Sequence, residues 1–305
     1  MTHKDNLEWG VIPDIHADMV LLETAIARLQ DDKVENFAFL GDFIDAGKTR
    51  STSDDRAVLN KVKSLINNGS ARAVMGNHEL NAILFHTFGD DGLPLRDHSA
   101  KNCRQHQSFI KQIGVGTAEA AEWVEWFLSL PLWLEMNTFR LVHAYWGAKE
   151  IELISERRPD GRLKREDLPE VAMQTTAFGK AVQALVCGPE IALPEGLWFE
   201  DSGGNKRYDV RVAWWRTRAK TWRDIGLSVA DPEVLPQSAC TGMLEETLYP
   251  ESDPIVFCGH YKMRGDPKLE SGNVLCLDYP QDPHCYKYAG PQLDRQNLLR
   301  LVGSE

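Results

Sequence analysis

An α/β fold is predicted for this 305-residue chain, on three observations. Strand-like apolar runs alternate with helically spaced segments through the N-terminal third. Each of these runs ends at a short polar motif led by Asp or Gly. Strand signals then return near the C-terminus after a long, compositionally different stretch. Strand–helix alternation of this kind implies βαβ units and a largely parallel sheet. Ligands in such sheets gather at the carboxyl ends of the strands.

In order, Trp9-Gly10-Val11-Ile12-Pro13 reads as the first strand, running into Asp14. From Asp18 to Gln30, Met19, Leu22, Ile26 and Leu29 recur on one helical face. Phe37 to Leu40 is a second buried strand ending at Gly41. Ser53 to Ile66 reads as a helix with Ser53 as its N-cap. Ala71 to Met75 is a third strand, and the chain turns helical again from Glu79. Residues 99–130 read as helices, with Trp123, Trp126, Phe127 and Leu130 as an apolar stripe. Leu132 to Val142 reads as a hairpin leading to His143. Residues 150–225 carry Arg157-Arg158, Lys164-Arg165, a Gly/Pro-rich passage and a Trp-rich basic segment. They are expected to form a cap inserted within one domain spanning 1–305. Ile255 to Cys258, Asn273 to Leu277 and Leu298 to Val302 resume the strands, so the sheet is expected to close across the insertion.

Composition bounds the function class. Hydrophobic content of 43% and charged content of 26% are ordinary for a globular protein with a sizeable core. The net charge of −11 argues against broad binding to nucleic acid or anionic membrane. The start of the sequence has no apolar leader, and no run is long enough to span a bilayer. The six cysteines (103, 187, 240, 258, 276 and 285) form no C-x-x-C pair. Reduced thiols in a cytoplasmic protein are the expectation.

Four fragments carry the chemistry: Asp14-Ile15-His16, Gly41-Asp42-Phe43-Ile44-Asp45, Gly76-Asn77-His78-Glu79 and Gly259-His260. His143 stands between the last two in Leu141-Val142-His143-Ala144. Besides Glu79, they offer three aspartates, one amide and four imidazoles. Two divalent cations need a bridging ligand, and Asp42 is the candidate. Asp14 and His16, two residues apart on one face of an extended segment, would complete one ion. Asn77, His143 and His260 would complete the other. Water on such a pair loses its proton near neutral pH and can attack phosphorus in line. That leaves His78 to protonate the departing oxygen, with Asp45 holding its other ring nitrogen. Oxygen and imidazole donors suit Mn or Fe, and Zn as well.

These motifs, in this order, resemble those of the calcineurin-like metallophosphoesterases. Phe39-Leu40-Gly41-Asp42-Phe43-Ile44-Asp45 and Val74-Met75-Gly76-Asn77-His78-Glu79 resemble the second and third motifs of the phosphoprotein-phosphatase branch. Leu141-Val142-His143-Ala144 and Cys258-Gly259-His260 resemble its later histidine motifs. That branch includes Ser/Thr protein phosphatases, diadenosine tetraphosphate hydrolases and the phosphatase domain of polynucleotide kinase-phosphatase. Gly188-Pro189-Glu190 through Trp214-Trp215 looks like part of the last of these. The resemblance implies a four-layer αββα sandwich with metals at the strand ends. Two departures stand out. Ala46 replaces the arginine that in the family clamps phosphate, and Arg50 is the nearby candidate to substitute. Tyr145-Trp146 follows His143-Ala144 where a glycine is usual, so Trp146 is a candidate for lining the pocket.

From Gly204 to Arg223 there are seven basic residues and one acid, interleaved with Trp214, Trp215 and Trp222. Basic residues with aromatics suit phosphates and bases together. Arg211, Arg216 and Arg218 are the candidates there. In the helical stretch His86, His98 and His106 cluster with Arg96, Lys101 and Arg104 as candidates to line the pocket mouth, Arg104 being the candidate phosphate contact. The expected substrate is a phosphorylated small molecule or nucleotide, cleaved as a phosphomonoester or phosphoanhydride. A phosphoprotein or a nucleic-acid end is the alternative, as is a metal-holding regulatory protein with little catalysis. No membrane partner is expected.

Overall fold

A computed structural model of the chain describes residues 8–46, 53–200, 204–240 and 244–301. The N-terminal half runs β1 (Trp9–Ile12), α1 (Met19–Asp31), β2 (Asn36–Phe39), α2 (Asp55–Asn67), β3 (Ala71–Ala73) and α3 (Asn77–His86). Helices α4 (Ala100–Gln105), α5 (Gln107–Gln112) and α6 (Ala118–Leu128) follow, then the hairpin β4 (Trp133–Glu135) and β5 (Phe139–Val142). Next come α7 (Ala148–Arg157), α8 (Leu168–Met173), α9 (Ala177–Cys187), β6 (Glu190–Ala192), β7 (Phe199–Glu200), β8 (Lys206–Arg207), β9 (Asp209–Val212), α10 (Trp222–Ile225) and β10 (Gly226–Leu227). The chain closes with β11 (Ile255–Cys258), β12 (Val274–Cys276), β13 (His284–Tyr288) and β14 (Leu298–Arg300).

Two sheets form the centre. One has the order β14-β13-β1-β2-β3, with β1, β2 and β3 parallel and β13 antiparallel to β1. The other has the order β12-β11-β5-β4, with β12, β11 and β5 parallel. Strand side chains alternate between faces, and here each face has its own core. Val11, Ala38, Leu40, Phe139, Leu141, Phe257, Leu275 and Tyr286 fill the space between the sheets. Their neighbours Ile12, Phe37, Phe39, Val142, Val256, Cys258, Val274 and Cys285 join a second core with the helices outside. Helices therefore cover both outer faces, giving the four layers of an αββα sandwich.

Several expectations shift in detail. Asp54, not Ser53, caps α2, because its carboxylate accepts the Ala57 N–H at 2.9 Å. The strand at His284–Tyr288 had no clear sequence signal, yet it pairs directly with β1. Its mixed residues hide the pattern: Tyr286 and Tyr288 face the inter-sheet core while Lys287 Nζ reaches the Asp32 carbonyl at 3.1 Å. Cys258 and Cys276 are register partners, whereas Cys285 lies in the other sheet.

The strands β5 and β11 are sequence-distant but hydrogen-bonded neighbours, Phe139 pairing with Ile255. Everything between them departs from the sandwich. It contains the packed helices α7 and α9 and the antiparallel sheet β10-β9-β6. Trp214 anchors this segment: it is fully buried, and its indole N–H lies 2.9 Å from the Ala144 carbonyl. Part of its basic charge is neutralised internally, since Arg158 grips Asp167 at 2.8 and 3.0 Å. Among the described residues, no helix is long and apolar enough to cross a membrane.

Candidate metal centre

The polar motifs leave the carboxyl ends of β1, β2, β3, β5 and β11 and meet at one rim of the sandwich. The turns that deliver them are strained. His16, Asp42, Asp45 and His260 have positive φ angles of 48°, 53°, 67° and 73°. Such conformations cost about 1–3 kcal/mol each and persist only where surrounding contacts impose them. Here the backbone N–H groups of Ile15 and His16 donate to the Asp42 carbonyl at 3.1 and 2.9 Å. Gly41, at φ 93°, must be glycine: a Cβ there would lie 2.5 Å from the Gly76 nitrogen.

Glu79 is the buttress of this rim. It is fully buried, and its carboxylate accepts the N–H groups of Asp42 and Phe43 at 2.8 Å each and of Gly76 at 3.0 Å. Those bonds join the β2 loop to the start of α3. Burial, and then the neighbouring Asp42 carboxylate, push Glu79 up to about 7. Glu79→Ala would strand three buried N–H donors, each worth about 1–3 kcal/mol. We expect a loss of about 3 kcal/mol or more in denaturant-induced unfolding. An unchanged unfolding midpoint would contradict this role.

Asp42 is the hub. Its carboxylate groups with His16 and His78 on one side and with His143 and His260 on the other, donor atoms lying within 4.8 Å in each set. Asn77 Oδ1 sits 3.0 Å from His143 Nε2 and 2.8 Å from His260 Nδ1. Asp14 Oδ2 accepts the His260 backbone N–H at 3.1 Å. Gly259 makes that approach feasible, because a Cβ there would lie 2.0 Å from Asp14 Oδ1. All six sequence-predicted ligand positions are thus brought together.

The electrostatics divide the four imidazoles. Burial, and then His78, lower His16 to about 3; burial, and then His143, hold His260 well below the usual range. Both rings are therefore neutral and carry free lone pairs. Burial also opposes charge on His143 and His78, but the Asp42 carboxylate outweighs it and lifts them to about 10 and 9. Asp42 itself stays ionised despite burial, held well below the carboxylate range by His143 and His78. Burial, reinforced by Asp278, raises Asp14. The donors fit divalent cations on a further observation. Asp14 Oδ1, His16 Nε2 and His260 Nε2 are buried with no hydrogen-bond partner. Of these, His16 Nε2 lies 3.9 Å from Asp42 Oδ2, and a buried polar atom left unpartnered is costly unless something cationic engages it.

His78 is held differently. Its Nδ1 lies 2.8 Å from Asp45 Oδ2, and its Nε2 is 3.9 Å from Asp42 Oδ2. It lines both cavities over the centre, the larger of about 610 Å³ and the smaller of about 70 Å³.

The remaining candidates scatter. Arg211 lines the larger cavity, 3.4 Å from Glu190. Arg216 instead forks onto Glu270 at 2.9 and 3.0 Å, and Arg218 is exposed near Glu251 at 3.7 Å. Both lie at a separate depression. Their spacing on an irregular turn after β9 carries them off the face that Arg211 occupies. Arg104 is exposed and lines neither cavity; Lys101 and Gln105, one turn apart on α4, face the site in its place. Trp146 is buried under the Arg140 guanidinium, 4.8 Å from its ring centre, and does not reach the cavity. Arg50 lies outside the described residues. Sequence reasoning did not single out Arg207, Lys262 or Arg264 at the larger cavity, whereas Arg96 at the smaller one belongs to the cluster expected at the pocket mouth. Lys262 alone had a local signal, two residues beyond His260.

The profile of the calcineurin-like phosphoesterases matches residues 10–293. The chain belongs to this family. The family uses divalent metals to cleave phosphoesters, and the chain is accordingly a metallophosphoesterase. Among solved structures, a protein serine/threonine phosphatase from Saccharomyces cerevisiae with similarity to human phosphatase PP5 is 14% identical. That match covers 97% of this chain and 79% of the other, with a TM-score of 0.48. A cold-active protein tyrosine phosphatase is 13% identical over 96% of this chain and 75% of its own, with a TM-score of 0.47. None of the curated proteins matches this metallophosphoesterase.

Proposed function

We propose that this metallophosphoesterase is a dinuclear phosphatase acting on phosphomonoesters or nucleotide phosphoanhydrides. Asp14, His16, Asp42, Asn77, His143 and His260 would hold the two ions, Mn or Fe, with Zn also accommodated. When bound, such a pair supplies Lewis acidity toward phosphoryl oxygens and acidifies water. The observation that carries the reading is Asp42, one carboxylate shared by two donor sets.

The chain's own side chains do the rest. Asp45 accepts from His78 Nδ1, which leaves Nε2 to hold the proton that the departing oxygen takes. A carboxylate partner keeps that ring charged and fixes its plane. Residues 150–225, read as a cap inserted within a single domain, wall the larger cavity with Arg207 and Arg211. Lys262 and Arg264 face them from the loop after β11. This cationic lining, in a chain of net charge −11, favours a phosphate-rich small substrate. Arg96 supports the same reading. It is half-buried, bonded to Gln105 Oε1 at 3.0 Å, and among the described residues has no carboxylate partner. It stands in the small cavity beside His78, the kind of cation that Ala46 does not provide.

The test is hydrolysis by Mn²⁺-loaded protein of p-nitrophenyl phosphate, its bis-ester, a dinucleoside polyphosphate and a phosphopeptide. We expect turnover of the monoester and the polyphosphate. Arg96→Ala and Arg211→Ala should each raise KM about 10-fold, as loss of one charged hydrogen bond does, while Arg216→Ala should not. Preference for the phosphopeptide would replace the substrate class, and no turnover with Mn, Fe or Zn would overturn the enzyme mechanism.

A further inference from the structure

Behind Asp45 the hydrogen bonding continues away from the cavity. Its second carboxylate oxygen, Oδ1, lies 2.7 Å from His106 Nδ1, and His106 Nε2 lies 3.1 Å from His86 Nε2. Asp45 and His106 are both buried. The protons on this chain can be assigned by elimination. An ionised Asp45 only accepts, so both imidazoles that meet it donate from Nδ1. Between His106 and His86 a single proton can sit on the shared line. Either ring can supply it, while His106 and His78 both donate to Asp45.

The scaffold around His106 is rigid. Its ring stacks on Phe109, with centroids 4.6 Å apart and planes 17° apart, and meets the edge of Phe85. The next turn of α5 braces the same loop, since Ser108 Oγ accepts the Ala46 N–H at 3.0 Å. Asp55 Oδ1 accepts the Asp45 N–H at 2.9 Å, holding that residue at φ 67°. A carboxylate gripped at one oxygen only can pivot. Gripped at both, it fixes the plane of the ring on its far side.

We propose that His106 is a positioning residue for His78: it pins Asp45 from behind so that His78 Nε2 is aimed at the leaving oxygen. This rests on the assignment of His78 as the proton donor. His106 belongs to the junction of α4 and α5 and is 61 residues from Asp45 in sequence, so no motif joins the two.

The experiment compares leaving groups. p-Nitrophenolate departs without help, whereas the alkoxide of an alkyl phosphate needs a proton. His106→Phe keeps the stack on Phe109 and removes the donor. It should lower kcat on the alkyl phosphate about 10- to 100-fold, leave p-nitrophenyl phosphate within about 3-fold, and leave both KM values alone. His106→Asn, which restores an N–H near the Nδ1 position, should recover most of the loss. An equal loss on both substrates, or no loss on either, would overturn the proposal. His78→Ala is measured alongside. If it shows the leaving-group bias and His106→Phe does not, positioning fails while the acid stands; if His78→Ala shows none, the acid assignment itself fails. Should the variants not fold, ¹⁵N NMR of the wild-type histidines decides: a bare Nδ1 on His106 would rule out donation to Asp45.

Discussion

Asp42→Asn is expected to lower turnover on the order of 10³-fold or more and to reduce bound metal from two ions per chain to one or fewer. The size follows from what the residue does. Among the described residues, Asp42 is the side chain common to both candidate donor sets, and it is the ionised carboxylate among four imidazoles. Its loss removes charge from both ion positions at once, and metal stabilisation of a phosphoryl transition state is worth several kcal/mol. Asparagine keeps an oxygen to accept the His78 backbone N–H, now 2.9 Å from Asp42 Oδ1. The fold should therefore survive, with a melting temperature close to that of the metal-free wild type. Metal counted by mass spectrometry beside kcat checks both halves. Two ions per chain with undiminished turnover would remove Asp42 from the bridging position.

His78→Ala separates acid catalysis from metal binding. We expect kcat on an alkyl phosphate to fall about 10²- to 10⁴-fold, the usual contribution of a positioned acid, with metal content unchanged. The geometry gives the reason. The His78 ring is tied through Nδ1 to Asp45, its Nε2 lies 3.9 Å from Asp42 Oδ2, and the residue lines the cavity. The competing arrangement is also defined by the structure, since His78 lies within reach of Asp42 and His16 as a third donor. Were it a ligand, the alanine variant would lose an ion as well as activity. A fall in metal content matching the fall in kcat would move His78 from the acid to the ligand set.

Much of this centre is legible in the amino-acid sequence. Asp14-x-His16, Gly41-Asp42-x-x-Asp45 and Gly76-Asn77-His78-Glu79 each follow an apolar run. A strand end dictates where its next residues go, so local sequence suffices to place them at one rim. The parallel pairing of β1, β2 and β3 and the placing of the candidate donors follow from that rule. Glu79 is visible as part of a motif, but its work is not. Only the fold brings the N–H groups of Asp42, Phe43 and Gly76 to one carboxylate.

The substrate side is legible only in part, because side-chain direction there depends on packing rather than on position in a motif. Arg211, Arg216 and Arg218 look equivalent in sequence, yet one faces the cavity and two face Glu270 and Glu251. Arg96 and Arg104 part for the same reason: the first, on the loop before α4, lines the small cavity, and the second is exposed on that helix. Trp146 has an aromatic ring suited to stacking, and burial under Arg140 takes it out of reach.

What the sequence by itself determined is the order and place of the candidate donors, because each is fixed by the strand that precedes it. What only the tertiary structure decided is which distant groups stand behind and across from those donors. His106 on Asp45, Glu79 beneath Asp42, and Arg96 beside His78 are contacts between elements. Their geometry is set by how helices settle on two twisted sheets, and no local run of residues encodes it.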